Sequence, residues 1–306
     1  MHQVALIHNP RSRRNRGLAV RLPAGLTAAS PMTPAELLAS LQDYARREVD
    51  LLIVSGGDGT LRDVLGLLPR AYGDAPLPAI ALLAAGNANL VASDVGACMP
   101  SRDAYTRLIA AAGAGRWRRE ESRRPIAVQR TGEAAVLGFF MGLGALNRAT
   151  QYNHDHIRTG GGASVAITIA ASMWQALRGV GDWAQGDPMT LRIDDETPRT
   201  GSRFLFLASS LHNLMLGLWP FWGSRNGTMR YLDIDAPPPQ LARSLLPLLR
   251  GRPTASMLAS GAYRSSSAHD IEIRSTTPMI VDGEPYPAAD GCYRLAAGPA
   301  LRFVTP

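Results

Sequence analysis

The sequence predicts an α/β protein in two parts, an N-terminal domain built on a parallel sheet and a C-terminal, β-rich, sandwich-like domain. Two observations carry the first part. Short apolar runs alternate with segments of helical spacing through the first third of the chain, and each run ends in a turn rich in Gly and Asn. One observation carries the second: beyond about Arg116, short β-like runs follow one another with few helical patterns between them. A length of 306 residues with 46% hydrophobic and 19% charged content is enough for two cored domains and argues against disorder.

Taken in order, Val4 to His8 reads as a first buried strand. Pro34 to Arg47 has apolar residues at Leu37, Leu38, Leu41 and Tyr44, with Thr33 as N-cap and Glu36 at the third helical position. Leu51 to Ser55 is a second strand running into Gly56-Gly57-Asp58-Gly59-Thr60, after which Leu61, Val64, Leu65 and Leu68 mark a helix. Ala79 to Leu83 repeats the theme and runs into Ala85-Gly86-Asn87-Ala88-Asn89 and another helix-like segment.

In the second part, Ile126 to Gln129, Met189 to Ile193, Phe204 to Ala208, Tyr231 to Ile234, Ile271 to Arg274 and Met279 to Val281 read as strands, interrupted by one helix, Ala163 to Leu177. Leu295 to Val304 reads as a final strand whose sheet the pattern does not assign. The boundaries drawn from this pass are 1–120 for the first domain and 121–292 for the second, the pattern leaving 293–306 unassigned.

A formal net charge of +7 suits anionic partners: nucleotides, lipid headgroups or nucleic acid. All 32 basic residues are Arg. This excludes the phosphate loop that ends in Gly-Lys, the protein-kinase arrangement with its strand Lys, and any Schiff base. Cys98 and Cys292 have no metal-ligand or disulfide spacing, which fits a cytoplasmic protein. Residues 1–10 lack the apolar core of a signal peptide, and the uncharged stretch from Gly160 to Leu177 is too polar for a spanning helix of ~20 apolar residues.

The parallel sheet brings the C-terminal ends of its strands to one edge, where ligands bind. Asn9-Pro10-Arg11-Ser12, Gly56 to Thr60 and Gly86 to Asn89 all follow such strands, so three polar turns line a nucleotide crevice. Glycines there let backbone approach phosphate, and Asp58 can hold Mg²⁺ or take a proton. Arg11, Arg13, Arg14 and Arg16 flank the first turn and suit phosphate, although a solvated basic loop is the plain alternative. Downstream, Asp282-Gly283-Glu284 offers two carboxylates, in a dipeptide context that also signals a hairpin.

These motifs, in this order, resemble the diacylglycerol kinase catalytic-domain family, which includes bacterial diacylglycerol, sphingosine and ceramide kinases. The correspondence takes in Asn9 to Ser12, Gly56 to Thr60, Gly86 to Asn89, Asp282 to Glu284 and the closing Gly298-Pro299-Ala300-Leu301-Arg302, which in the family returns to the nucleotide domain; it implies that 293–306 return to the first domain. It implies a fold of the NAD kinase and diacylglycerol kinase type, and an ATP- and Mg²⁺-dependent transfer of phosphate to a lipid hydroxyl. The acceptor would be a diacylglycerol, ceramide or sphingoid base.

The resemblance further implies that Asn9, Thr33, Gly56, Gly57, Asp58, Gly59, Thr60, Asn87 and Asn89 bind nucleotide. Glu284 would be the general base, with Asp58 holding the Mg-nucleotide, Asp58 as the base being the alternative; the metal ligands are not otherwise identified. Arg13, Arg62-Asp63, Asn87 and Leu90 depart from the family pattern at the nucleotide turns. Arg225 and Asn226 stand where a structural metal site of some bacterial members has acids.

Leu214 to Trp222 and the Ala163 to Leu177 helix, with Met173 and Trp174, are candidates to line an acyl-chain cleft, core packing being the alternative. Arg116-Trp117-Arg118-Arg119 with Arg123-Arg124 is a candidate contact for an anionic membrane surface, and no nucleic-acid motif is present. The expected partners are thus a lipid substrate and, peripherally, the inner face of the membrane. Oligomeric state stays open, a homodimer included. The alternatives carried are a lipid-binding regulatory protein that has lost catalysis and an enzyme of the NAD kinase kind.

Overall fold

A computed structural model describes residues 3–16, 26–86, 89–156, 185–214 and 217–306, with the side chains of 151–156 outside the description. The described chain divides into two compact units, residues 1–123 with 300–306, and residues 124–299.

The first unit is built on a six-stranded sheet. Its elements are β1 (Val4–His8), β2 (Thr27–Ala29), α1 (Pro34–Arg46), β3 (Leu51–Gly56), α2 (Asp58–Tyr72), β4 (Ala79–Ala84), α3 (Leu90–Asp94), α4 (Arg102–Ala114) and β5 (Arg119–Arg123). The sheet order is β2-β1-β3-β4, then a strand from the chain's end, then β5. All neighbours are parallel except β5. β3 is buried at every position, as a parallel strand covered on both faces must be.

On one face Leu51, Ile53, Ala81 and Leu83 pack against Ala104, Tyr105 and Leu108 of α4. The alternate residues of β3, Leu52 and Val54, therefore face the other side, which α1 and α2 cover with Leu37, Leu41, Leu61, Val64 and Leu65. Tyr44 Oη ties α1 to β1 by donating to the Leu6 carbonyl at 2.9 Å. Thr33 caps α1 as its position suggests, accepting from the Glu36 amide, while Glu36 accepts from the Met32 amide.

The second unit holds an eleven-stranded, antiparallel sheet. Its strands are β6 (Ile126–Arg130), β7 (Val136–Gly138), β8 (Phe140–Gly144), β9 (Asp187–Ile193), β10 (Arg199–Ser209), β11 (Met229–Asp235), β12 (Tyr263–Ala268), β13 (Asp270–Ser275), β14 (Met279–Val281), β15 (Glu284–Tyr286) and β16 (Cys292–Ala297). The core under it gathers Val128, Met141, Leu143, Leu191, Phe206, Ile271, Ile273 and Leu295. The expected α/β architecture, a parallel sheet followed by a β-rich part, is what the chain adopts.

Two expectations of the pattern are corrected. Leu295 to Val304 is not one strand: β16 pairs with β13 and β6 in the second sheet, whereas β17 (Leu301–Thr305) lies in the first beside β4 and β5. Gly298 and Pro299 break the run, since Pro has no N–H for a ladder and a Cβ at Gly298 would meet the Pro125 carbonyl at 2.8 Å. Nor is there a single helix among the strands of the second unit. α5 (Ala145–His156), α6 (Leu241–Leu249) and α7 (Ala255–Ser260) are present, while the expected helix over 163–177, with Met173 and Trp174, lies outside the described residues.

Candidate functional site

Because β1, β3 and β4 are adjacent and parallel, their C-terminal ends align, with His8 opposite Ser55 and Gly56 opposite Ala84. The three turns that follow are tied together. The Asn9 amide donates to the Ser55 carbonyl at 3.0 Å, and Asn9 Nδ2 donates to Thr60 Oγ1 at 2.8 Å. Asn9 Oδ1 accepts from the Arg11 amide, holding the turn as an Asx turn. Arg14 reaches across to the third turn, its Nη1 donating to the Ala84 carbonyl and its amide to that of Ala85.

The second and third turns touch backbone to backbone. A Cβ on Gly57 would sit 2.9 Å from Gly86 Cα, and one on Gly86 would sit 2.4 Å from Gly57 Cα. A Cβ on Gly56 would meet the Thr60 side chain at 2.5 Å. Glycine is required here by close approach. No side chain caps α2 at Gly57, so the positive end of the helix dipole meets this turn without a capping group from the N-cap residue.

Asp58 and Asn89 shape the third turn. Asn89, in the left-handed region, accepts from the Gly86 amide and donates to the Gly86 carbonyl, both at 2.9 Å. Asp58 accepts from the Leu90 amide at 3.1 Å and the Val91 amide at 3.3 Å, so it caps α3 from a distance of some thirty residues in sequence. Burial pushes the Asp58 carboxyl above the usual carboxylate range, against these amides, which favour the ionised form. A cation beside Asp58 would relieve that penalty. Asn87 lies outside the described residues.

The donor set fits the group that the turns imply. Mg²⁺ at a nucleotide is commonly held by one or two carboxylates together with phosphate oxygens and water, and Asp58 is the carboxylate that these turns supply. Among the described residues, no three His, Cys, Asp or Glu side chains gather as a metal-ligating set. Arg11, Arg13 and Arg16 are exposed, and none of them has a carboxylate partner among the described residues.

Other expected residues are placed differently. The Thr33 hydroxyl is used in capping α1, and none of its hydrogen bonds joins the three turns. Asp282 and Gly283, at φ 47° and 91°, form the two-residue loop of the β14–β15 hairpin, with Val281 paired to Glu284. Asp282 accepts from the buried Phe139 and Phe140 amides at 3.1 and 2.9 Å, which leaves the exposed Glu284 as the carboxylate this turn presents.

The basic run near residue 120 is partly spent on structure. Arg123 is 3% exposed and pairs with Asp94 at 2.7 Å and Glu121 at 2.8 Å, Arg119 pairs with Glu121, and Trp117 packs on the first core. Phe221 is core, edge-on to Trp219 at 5.2 Å; Met215 and Leu216 lie outside the described residues.

Three polar residues escaped the sequence reading. Asn15 is buried and donates to the Asn9 and Ser55 carbonyls, while Ser55 Oγ donates back to Asn15 Oδ1. His8 has a buried Nδ1 without a hydrogen-bond partner, and burial lowers its pKa. His8 and Ser55, each directly before a polar turn, carried a signal in their positions; Asn15 looks like an ordinary loop residue.

Fold and turns together define an α/β unit with three tied, glycine- and asparagine-rich turns on one sheet edge, followed by an antiparallel β unit. Residues 3–114 match the family model of the diacylglycerol kinase catalytic domain, a lipid-kinase family, so the resemblance carried by the turns of the first unit holds. A solved structure of a diacylglycerol kinase from Bacillus anthracis str. Sterne superposes with a TM-score of 0.63 at 15% identity, over 100% of this chain and 97% of that one. A second structure from the same strain, of a protein assigned that activity, gives 0.66 at 16% identity with the same coverage. At these identities the likeness is one of fold. A comparison with curated proteins gives no match.

Proposed function

We propose that the chain is an ATP-dependent lipid kinase that phosphorylates a hydroxyl of a diacylglycerol, ceramide or sphingoid base at the inner face of a membrane. The observation that carries the reading is the Gly57–Gly86 backbone contact beside the uncapped N-terminus of α2, flanked by arginines without carboxylate partners among the described residues. Such an arrangement receives a polyphosphate: amides and dipole meet its charge, and Arg supplies what Lys supplies elsewhere. The family match over residues 3–114 and the lipid-kinase fold support the choice of reaction.

In this reading Gly57, Gly59 and Thr60 cradle phosphate, Asn9 and Asn89 hold the flanking turns in shape, and Asp58 holds the metal. Mg²⁺, when bound, neutralises phosphate charge. Glu284 accepts the proton of the acceptor hydroxyl as its oxygen bonds to the γ-phosphorus and the bond to the bridging oxygen breaks, releasing ADP. Among the described residues no helix is long and apolar enough to cross a membrane, which is compatible with peripheral attachment.

A second reading has one observation in its favour. Both Asp58 oxygens are engaged by the α3 amides, as they would be in a lipid-binding protein without catalysis. Transfer of labelled γ-phosphate from ATP to solubilised diacylglycerol, ceramide and sphingosine, with NAD as a further acceptor, separates the readings. A labelled lipid, lost in Glu284→Gln and Asp58→Asn, is the expected result. Labelled NAD points to the NAD kinase kind of enzyme, and lipid binding without any product points to the non-catalytic reading.

A further inference from the structure

The second unit has a cavity of about 630 Å³ whose lining takes in Leu214, Leu218 and Trp219 from the segment read as a candidate acyl-chain cleft and does not include Asp282 or Glu284; its polar wall was not foreseen. Its wall combines apolar side chains, among them Leu218, Trp219 and Met229, with Ser210, Arg225 and Arg230. Two of these polar residues each keep one unpaired atom. Ser210 Oγ and Arg230 Nε are both buried without a hydrogen-bond partner. The other Arg230 nitrogens donate to the Trp222 carbonyl at 2.7 Å and to the Ser224 carbonyl, which aims the guanidinium without neutralising it.

Neither Arg225 nor Arg230 has a carboxylate partner among the described residues, and Arg225 acts on Arg230 as a like charge. Two like charges beside an unpaired hydroxyl and an unpaired N–H have the chemistry that suits an anion. A buried donor left unmade costs free energy, and guanidinium recovers most when it meets phosphate. The apolar wall adds a second requirement, since a bare anion would leave the half-buried Leu218 and Trp219 in contact with water.

We propose that this cavity binds a phosphate-bearing amphiphile, with the phosphate on Arg225, Arg230 and Ser210 and the apolar part along Leu218, Trp219 and Met229. The inference goes beyond the kinase reading and stands whether or not the chain transfers phosphate, because it concerns binding in the second unit alone.

Calorimetric titration of the full chain, without ATP, tests it with dihexanoyl phosphatidic acid, neutral dihexanoylglycerol and inorganic phosphate. Binding of the phosphatidic acid, weakened about tenfold in Arg225→Gln and unchanged in Arg274→Gln, is expected. Arg225 makes no structural bond among the described residues, so that variant keeps the fold even where Arg230→Gln disturbs the Trp222–Ser224 turn. The proposal is overturned if the phosphatidic acid does not bind, if Arg225→Gln leaves its affinity intact, or if dihexanoylglycerol or inorganic phosphate binds as tightly. Failure of the phosphate-transfer assay, by contrast, bears only on the kinase reading.

Discussion

Gly57 and Gly86 show how a single atom governs the nucleotide edge. Ala at position 86 must push its Cβ into the Gly57 backbone, which cannot retreat without moving α2. Gly86→Ala is expected to cost about 1–3 kcal/mol in denaturant unfolding and to abolish ATP binding in the same preparation. His8 sets a pH dependence. Burial holds its folded pKa below 6.5, so on acidification the unfolded chain takes up this proton first. The stability it allows is complete above that value, declines as pH falls from 6.5 toward the folded pKa, and levels off beneath it. His8→Gln should flatten this part of the stability profile measured between about pH 7 and pH 5.

At the scale of elements, caps and hairpins fix where functional groups emerge. Thr33→Ala removes the α1 cap and is expected to cost about 1 kcal/mol without loss of phosphate transfer, since the hydroxyl serves the helix. Loss of transfer at unchanged stability would instead return Thr33 to the nucleotide site. Asp282 holds the amides that open β8 while its φ of 47° starts the turn that presents Glu284. Asp282→Ala leaves these buried amides unpaired, with an expected loss of about 1–3 kcal/mol. Its transfer rate should fall too, although Glu284 is intact.

For the whole molecule, each unit carries a buried ionic centre. In the first, Asp94 is fully buried against Arg123. In the second, Asp233 is fully buried and pairs with Arg203 at 2.9 Å and Arg264 at 3.0 Å across β10, β11 and β12. Removing one partner strands a charge in low dielectric, at about 3–5 kcal/mol. Arg123→Ala should therefore lower amide hydrogen-exchange protection in β3 and β4, and Asp233→Ala in β10 and β11. These pairs leave the net charge of +7 as it is, since the arginines are matched by acids already counted in it, and they show that Arg123, Arg203 and Arg264 serve the interior of the fold.

The sequence by itself determined whatever is local. β1, β3 and β4 were legible as apolar runs, α1 by its cap and period, the nucleotide edge by glycines following strands, and β14 within its observed bounds. Each of these rests on residues a few positions apart, where periodicity and backbone sterics act directly. Tertiary structure alone decided the rest. β12, Tyr-Arg-Ser-Ser-Ser-Ala, has no alternation to announce it and is a strand because β11 pairs with it. Asp58 caps a helix that begins at Leu90, Asn15 bridges two strand ends, Arg123 finds Asp94, and Arg225 comes to share a cavity wall with Ser210. Such contacts join residues far apart in sequence through the path of the backbone, and no spacing along the chain encodes them.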